Sequence, residues 1–358
     1  MAQMDLSEVI EQVHREKKIP KEDLLDALKA SLLMAWKKKF LDEEDEIPEE
    51  RIDVDLEGGV RVLIKKEVVE EIDDPMLEIG PKGAKELDPD AEIGDLLEVD
   101  VTPRSFGRIA AQTAKQVMIQ KFRESERRRT YEEFQDKIGR VIVGRVQRFE
   151  KGDLYIQYDE VELVMPLREQ IPGERYHHGD RIKAIIEKVE QTTKGPQICL
   201  SRASKNFMAK LFEQEIPEIQ EGIVRIETIA REPGVRSKVA VSSYDPSVDP
   251  VGACVGLKGS RIQIIVNEVQ GEKIDVIRWS DDIRVFVAEA LKPAKPTRIY
   301  GPDEEEKLTV VVPQRELSLA IGREGQNVRL AAKLANVKID ITYESEMEID
   351  GEEYLDAV

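Results

Sequence analysis

The stretch Cys254-Val255-Gly256-Leu257-Lys258-Gly259-Ser260-Arg261-Ile262 has a counterpart 66 residues later, Ala320-Ile321-Gly322-Arg323-Glu324-Gly325-Gln326-Asn327-Val328. Each GxxG loop precedes an apolar-periodic helix and then a short strand, Lys273-Ile274-Asp275-Val276-Ile277 in one case and Lys338-Ile339-Asp340-Ile341-Thr342 in the other. A lone GxxG says little; two in register with matching flanks indicate a duplicated unit. Glycine at a helix N-terminus lets backbone N–H groups approach a phosphate where a side chain would stand in the way. The duplicated unit therefore points to nucleic acid.

Working outward, residues 202–280 predict a helix (Phe207, Leu211, Phe212), two strands (Ile223 to Ile229, Val239 to Val241) and the first GxxG unit. Residues 281–343 repeat the scheme, with a helix at Ile283 to Leu291 and strands at Arg298 to Tyr300 and Leu308 to Val312. The order α-β-β-α-α-β is that of the bacterial-type (type II) KH module, and the short linker predicts a rigid tandem. Upstream, residues 134–201 hold five short strands with glycine turns, which fits a small OB-type barrel. The opening Gly139-Arg140-Val141 and the closing Leu200-Ser201-Arg202 resemble an S1 domain. Phe149, Tyr155 and Tyr158 either offer a stacking platform to bases or fill the barrel and its rim, with Tyr155 the preferred platform.

Residues 1–133 predict an α/β domain. Leu6, Val9, Ile10 and Val13 mark one helix, and Pro20 starts a second with Leu24, Leu25, Leu28, Leu32, Ala35 and Trp36 on one face. Lys37-Lys38-Lys39 sits where cations complement the helix dipole. Asp42 to Glu50 reads as an acidic, solvated loop. Ile52, Val54, Leu56 and Val60, Val62, Ile64 alternate around Gly58-Gly59 as a hairpin. A long connector helix runs from about Phe106 toward Phe134, with Ile109, Thr113, Val117 and Gln120 along one face. Arg104 and Arg108 at its start either face emerging RNA or pair with neighbouring acids. Residues 344–358 read as an acidic, disordered tail.

Composition bounds the chemistry. The chain has 358 residues, 41% hydrophobic but only 5% aromatic, enough for several cores and too few rings for a Phe- and Tyr-rich stacking surface. Two cysteines, Cys199 and Cys254, without a CxxC, support neither a zinc knuckle nor a disulfide framework. His14, His177 and His178 lack partners at metal spacing, and no GxxxxGK[ST] motif exists. No metal or cofactor is expected. Met1-Ala2-Gln3-Met4-Asp5 does not begin a signal peptide, and no apolar run approaches the ~20 residues of a membrane span. A soluble, cytoplasmic, monomeric protein is expected. The net charge of −19 is concentrated at the ends: 34 acids against 22 bases in residues 1–133, and eight acids with no base in residues 340–358. The middle is near neutral, so local Lys and Arg can still form a track for a polyanion.

Several longer stretches extend the picture. Asp26-Ala27-Leu28-Lys29-Ala30-Ser31-Leu32-Leu33, Ala111 to Val117, Glu169-Gln170-Ile171-Pro172-Gly173-Glu174, Ala230-Arg231-Glu232-Pro233-Gly234, Asp249-Pro250-Val251-Gly252-Ala253-Cys254-Val255-Gly256 and Gly271 to Ser280 together resemble the NusA family of bacterial transcription termination and antitermination factors. The resemblance covers about residues 4–343. It implies an N-terminal RNA polymerase-binding domain over residues 1–133, an S1 domain over 134–201, KH domains over 202–280 and 281–343, and the tail at 344–358. It also implies a regulator without catalysis that docks on core RNA polymerase near the RNA exit channel. That regulator holds nascent single-stranded RNA, lengthens pauses, favours intrinsic termination and joins other antitermination factors. Some relatives continue past the second KH module with acidic repeats, whereas the sequence here ends in the short tail.

The expected RNA-binding residues are Gly256, Leu257, Lys258, Gly259, Arg261 and Ile262 in the first module, Gly322, Arg323, Glu324, Gly325, Val328 and Arg329 in the second, and Tyr155 in the barrel. Each GxxG loop clamps about four nucleotides. Lys258 and Arg323 face phosphate, and Arg261 and Arg329 steer the strand. Glu324 places a carboxylate beside the track, so either the second module grips less tightly or Glu324 turns to solvent. Val255, Ile262, Ile265, Ile321 and Val328 are read as groove walls or as ordinary core. Two other functions compete: an S1–KH accessory part of a phosphorolytic exoribonuclease, and a generic or ribosome-associated single-stranded RNA-binding protein. RNA degradation with phosphate and Mg²⁺ would reveal the first, and failure to co-purify with core RNA polymerase would favour the second.

Overall fold

The computed structural model describes residues 6–41, 47–56, 59–302, 307–343 and 355–356, in two compact units, 1–130 and 131–358. In the first unit, α1 (Leu6–Lys17) and α2 (Lys21–Phe40) precede strands β1 (Ile52–Asp55), β2 (Arg61–Val68) and β3 (Glu78–Ile79), then α3 (Pro81–Leu87), β4 (Leu96–Asp100) and α4 (Phe106–Gln135). The β1–β2 register pairs Ile52 with Ile64 and Val54 with Val62, all four buried, as the alternation predicts. α2 buries Leu24, Leu28, Leu32 and Trp36 at i, i+4 spacing. Asp42–Glu46 and Gly58, expected in an acidic loop and a turn, lie outside the described residues.

The connector helix buries a face that overlaps the expected one only in part: Val117 is buried and Ile109 packs against the core, as expected. Phe106, Ala110, Ala114, Val117 and Met118 are buried, while Gln120 is exposed. Alanines at two of these positions let the backbone approach the core closely, and Phe40 meets Phe106 edge-on at 6.1 Å. The last turn, Tyr131 to Gln135, belongs to the second unit.

In that unit β5 (Val141–Glu150), β6 (Asp153–Tyr158), β7 (Val161–Met165), β8 (Arg181–Thr192) and β9 (Gly195–Ser201) close into a barrel of order β5-β6-β7-β9-β8. A Cβ at Gly144 would collide with Ile156 Cγ2, so glycine lets β5 lie close against β6 there. The first GxxG module follows as α5 (Lys205–Glu215), α6 (Pro217–Gln220), β10 (Val224–Glu232), β11 (Arg236–Ser243), α7 (Pro250–Val255), α8 (Ser260–Glu268) and β12 (Lys273–Arg278). The second is α9 (Ile283–Ala290), β13 (Arg298–Tyr300), β14 (Lys307–Val312), α10 (Leu317–Ile321), α11 (Gln326–Ala335) and β15 (Lys338–Tyr343). In both, an antiparallel pair is followed by a parallel one, β11 with β12 and β14 with β15. Of the acidic tail only β16 (Leu355–Asp356) is described; it pairs antiparallel with β13, so these two residues form an edge strand rather than unstructured chain.

Barrel and modules share their interiors. Ile171 and Ile185 of the barrel pack with Phe207, Phe212, Val239 and Ile265 of the first module. Ala230, Ala240 and Ile277 of the first module pack with Phe286, Leu330 and Ala331 of the second. Small residues on the outer face of β10 and β11 accept α11 directly onto the sheet. Burial of this kind stabilises by about 25 cal/mol per Å² of apolar surface, so separating the modules would be costly.

Two ionic hubs sit at the barrel–module junction. Arg202, closing the Leu-Ser-Arg stretch, has a side chain only 2% exposed. It donates to Glu174 at 2.6 Å, Glu268 at 2.9 Å and the carbonyls of Lys183 and Glu268. Glu272, fully buried, accepts from Arg231 at 2.9 Å, Ser237 at 2.5 Å and the Gly234 amide at 2.9 Å. A Cβ on Gly234 would lie 2.7 Å from the Pro172 carbonyl oxygen. Buried pairs with every acceptor engaged hold geometry, and losing one partner typically costs ~3–5 kcal/mol. The stretches Glu169–Glu174, Ala230–Gly234 and Gly271–Ser280 thus meet where the barrel and first module join.

Candidate nucleic-acid interface

The two loops have the same backbone. Gly256 has φ 74° and ψ 175°, Gly322 φ 76° and ψ 174°. Lys258 and Glu324 lie in the left-handed region at φ 52° and 53°, and Gly259 and Gly325 at φ 79° and 72°. The first glycine ends the preceding helix, and the second caps the following one. At Gly256 and Gly322 a side chain is excluded twice, by φ and by contact: a Cβ would meet Arg261 Cγ at 2.7 Å and Asn327 Cβ at 2.8 Å. Beyond Gly325 nothing lies within 4 Å, and beyond Gly259 only Ile262 Cγ2, at 4.0 Å. A ligand can therefore reach the main chain at the second glycine of either loop.

The tips point outward. Leu257 is 85% exposed, and the side chains of Arg323 and Glu324 are 93% and 84% exposed. Lys258 is exposed with no ion-pair partner among the described residues. Arg323 lies 3.9 Å from Glu324, so the second tip is close to neutral where the first carries a free cation. The carboxylate of Glu324 does turn to solvent, but beside the arginine meant for phosphate.

The arginines expected to steer RNA are engaged elsewhere. Arg261 donates to both oxygens of Glu218, at 2.8 and 3.0 Å, and to the Ala253 carbonyl at 2.7 Å. Burial is the largest single influence on the Glu218 carboxyl and would raise it, but the Arg261 hydrogen bond, a backbone hydrogen bond and the Arg261 charge together hold the group below its ordinary value. Arg329 donates to Glu232 at 2.7 Å and to the Glu324 carbonyl at 3.0 Å, tying the second loop to β10 of the first module. Both guanidiniums, expected to steer the strand, are held in ion pairs.

Ile265 is fully buried and is core, not groove. Ile262 and Val328 are half-buried and pack into the cores of their own modules. Val255 is half-buried and Ile321 is 37% exposed. Leu319, 46% exposed, is a further exposed apolar residue on α10 just before the second loop. Cys254 is buried beneath the first loop, where burial pushes its thiol up to about 12 and leaves it a packed, unreactive group.

On the barrel, Arg148 lies 3.6 Å above the Tyr155 ring and is held by Glu162 at 2.8 Å and Glu150 at 2.5 Å. Donating to these carboxylates, Glu162 above all, raises the arginine's affinity for its proton. That face of Tyr155 is covered, so the stacking surface there is a guanidinium plane, which itself accepts a base. Beside it Thr192, Lys194, Pro196 and Gln197 line a cleft of about 460 Å³. Tyr158 packs edge-on against Phe134 at 6.2 Å and serves the interior, whereas Phe149 is half-exposed. In the other unit Arg104 and Arg108 are exposed and have no ion-pair partner among the described residues. Among those residues no group of three His, Cys, Asp or Glu side chains is placed to hold a metal, and no helix is long and apolar enough to cross a membrane.

A barrel joined to two GxxG modules with exposed tips defines an S1–KH–KH RNA-binding protein. Comparison with known proteins agrees segment by segment. The NusA N-terminal domain matches residues 5–128, the S1 RNA binding domain 135–201, and the NusA-like first and second KH domains 202–279 and 283–349. The chain is 50% identical over 335 residues to the transcription termination/antitermination protein NusA of Halalkalibacterium halodurans, covering 93% of this chain and 87% of that one. It is 47% identical over 343 residues to the NusA protein of Bacillus subtilis, covering 96% and 91%. The NusA protein of Thermus thermophilus is 41% identical over 341 residues, covering 93% and 88%. The chain belongs to the NusA family. That family is one of transcription factors, not enzymes, which sets the exoribonuclease reading aside.

Proposed function

We propose that the chain is a transcription elongation factor that docks its first unit on core RNA polymerase and holds nascent single-stranded RNA across the second. By slowing release of that strand it modulates pausing, intrinsic termination and antitermination. The observation that carries this reading is the pair of loops with one backbone and outward tips on modules that share a core. One loop gripping about four nucleotides is a weak site. Two held at fixed spacing make the second contact intramolecular and raise its effective concentration. Arg104 and Arg108, exposed and without an ion-pair partner among the described residues, suit RNA near the point where it leaves polymerase. The RNA contacts fall to Lys258, Arg323 and the main chain at Gly259 and Gly325, with Tyr155 and Arg148 as a further platform.

Co-purification of the full chain with core RNA polymerase tests the first half, and its absence would favour a generic RNA-binding role. Leu257→Asp with Lys258→Asp tests the second: the double variant should fold and lose affinity for a long single strand in a gel shift. Binding should weaken with salt at a slope of about −0.7 per phosphate neutralised. A flat response would remove Lys and Arg from the RNA contact.

A further inference from the structure

Under each loop runs one side chain, and the two occupy equivalent places in the repeat. Arg261 and Asn327 are separated by the same 66 residues as the glycines, and each crosses beneath the first glycine of its loop. Each donates to the carbonyl three residues before that glycine: Arg261 Nη1 to Ala253 at 2.7 Å, Asn327 Nδ2 to Leu319 at 3.4 Å. Asn327 also reaches the Ala320 carbonyl at 3.2 Å. These are last-turn carbonyls of α7 and α10, left without helical partners where the chain turns into the loop.

The second anchor comes in each case from the helical region that opens the module, ahead of its first strand. Arg261 meets the carboxylate of Glu218 on α6, and Asn327 meets the Leu291 carbonyl at 2.9 Å, just past α9. The task is shared and the chemistry is not. The second loop hangs on a buried neutral amide, 2% exposed; the first hangs on an ion pair whose side chains are 33% and 27% exposed.

We infer that Glu218, acting through Arg261, is a positioning residue for the RNA grip of the first loop. This rests on the reading that the loop holds RNA. Arg261 turns its Nη1 to Glu218 and Ala253, while Lys258 at the tip has no ion-pair partner among the described residues. Glu218 adds negative charge near the path of a polyanion, which by field alone weakens binding. Its effect through Arg261 has the opposite sign, because it fixes the loop in the one backbone that exposes the main chain. If Arg261 instead gripped phosphate directly, Glu218 would compete with RNA for it, and removing Glu218 would tighten binding.

The experiment compares the full chain with Glu218→Ala, Arg261→Ala, the double variant and Lys258→Asp. The probe is mixed-sequence single-stranded RNA long enough to span both loops, read by fluorescence anisotropy across a salt series. Amide hydrogen exchange is followed at residues 256–259. Glu218→Ala should weaken binding about two- to fivefold, the range of a partly exposed pair, with the salt slope unchanged and loop exchange faster. The double variant should bind no worse than Arg261→Ala, since the two act as one unit. Glu218→Gln, which keeps an acceptor, should fall between the full chain and Glu218→Ala and stands in if the alanine variant misfolds. Unchanged or tighter binding in Glu218→Ala, with Lys258→Asp still weakened, would overturn the positioning role and leave the RNA-binding loop intact. Full affinity in Lys258→Asp would instead overturn the RNA reading of the loop itself.

Discussion

The two GxxG loops trace the same path and differ in nearly everything attached to it. The first offers Leu257 and a free Lys258; the second offers Arg323 beside its own Glu324. The first is braced by an ion pair open to water, the second by a buried amide. Glycine placement gives both loops one backbone, while the charge at the tip and the side chain that braces the loop from beneath differ between them. The first module has more charge to give a strand and a softer support, while the second has a firmer support and less charge.

That contrast can be broken at its most rigid point first. Gly322→Ala should destabilise the chain by about 3 kcal/mol or more, combining left-handed strain with a Cβ 2.9 Å from the Asn327 backbone nitrogen, which cannot move aside. Gly256→Ala meets only the flexible stem of Arg261, so its cost should stay at about 1–2 kcal/mol. Urea denaturation of both variants decides the order, and equal losses would mean the braces are equally yielding. A middle-sized effect is expected for Glu324→Lys, which gives the second tip the charge of the first. RNA affinity should rise and the salt slope should steepen by roughly 0.7. No change would show that the second tip stays off the strand.

The smallest effect concerns the tie between modules. The Arg329 hydrogen bond holds the Glu232 carboxyl below its ordinary value, against the opposing pull of burial, with Gln326 and Lys333 acting in the same direction. A depressed carboxyl lends stability that is complete above its unfolded value and disappears as pH falls through the folded one. Acidification below the usual carboxylate range should therefore loosen α11 from β10. Glu232→Gln should flatten that part of the stability–pH curve, by a few tenths of a kcal/mol given the half-exposed arginine.

Much of this was legible in the chain. Alternation around Gly58-Gly59 gave the register of β1 and β2, because a strand's period of two allows one buried face. The five barrel strands and the repeated α-β-β-α-α-β order follow from equally local patterns. The loops were legible because their φ angles demand glycine at fixed spacing.

The roles of Arg261 and Arg329 were not. Their partners lie 43 and 97 residues away, and which acid comes near a given arginine is decided by packing. Periodicity also failed to orient surfaces where apolar residues crowd. Among Ile262, Ile264 and Ile265, the fully buried one is Ile265 and the half-exposed one Ile264. On α4 the inward stripe was set by two alanines whose small size, not hydrophobicity, earned them the contact. The cover over Tyr155 was hidden for a further reason: Arg148 stands across the strand pair from it, in a register only the folded barrel fixes.

Arg202 gives the molecule a property that neither barrel nor module has alone. With its guanidinium sealed between Glu174 and Glu268, barrel and first module cannot pivot independently, and the shared core extends that restraint to the second module. Such a body works as a calliper. On the proposed function, two grips held at fixed spacing favour a strand whose unpaired segments match that spacing.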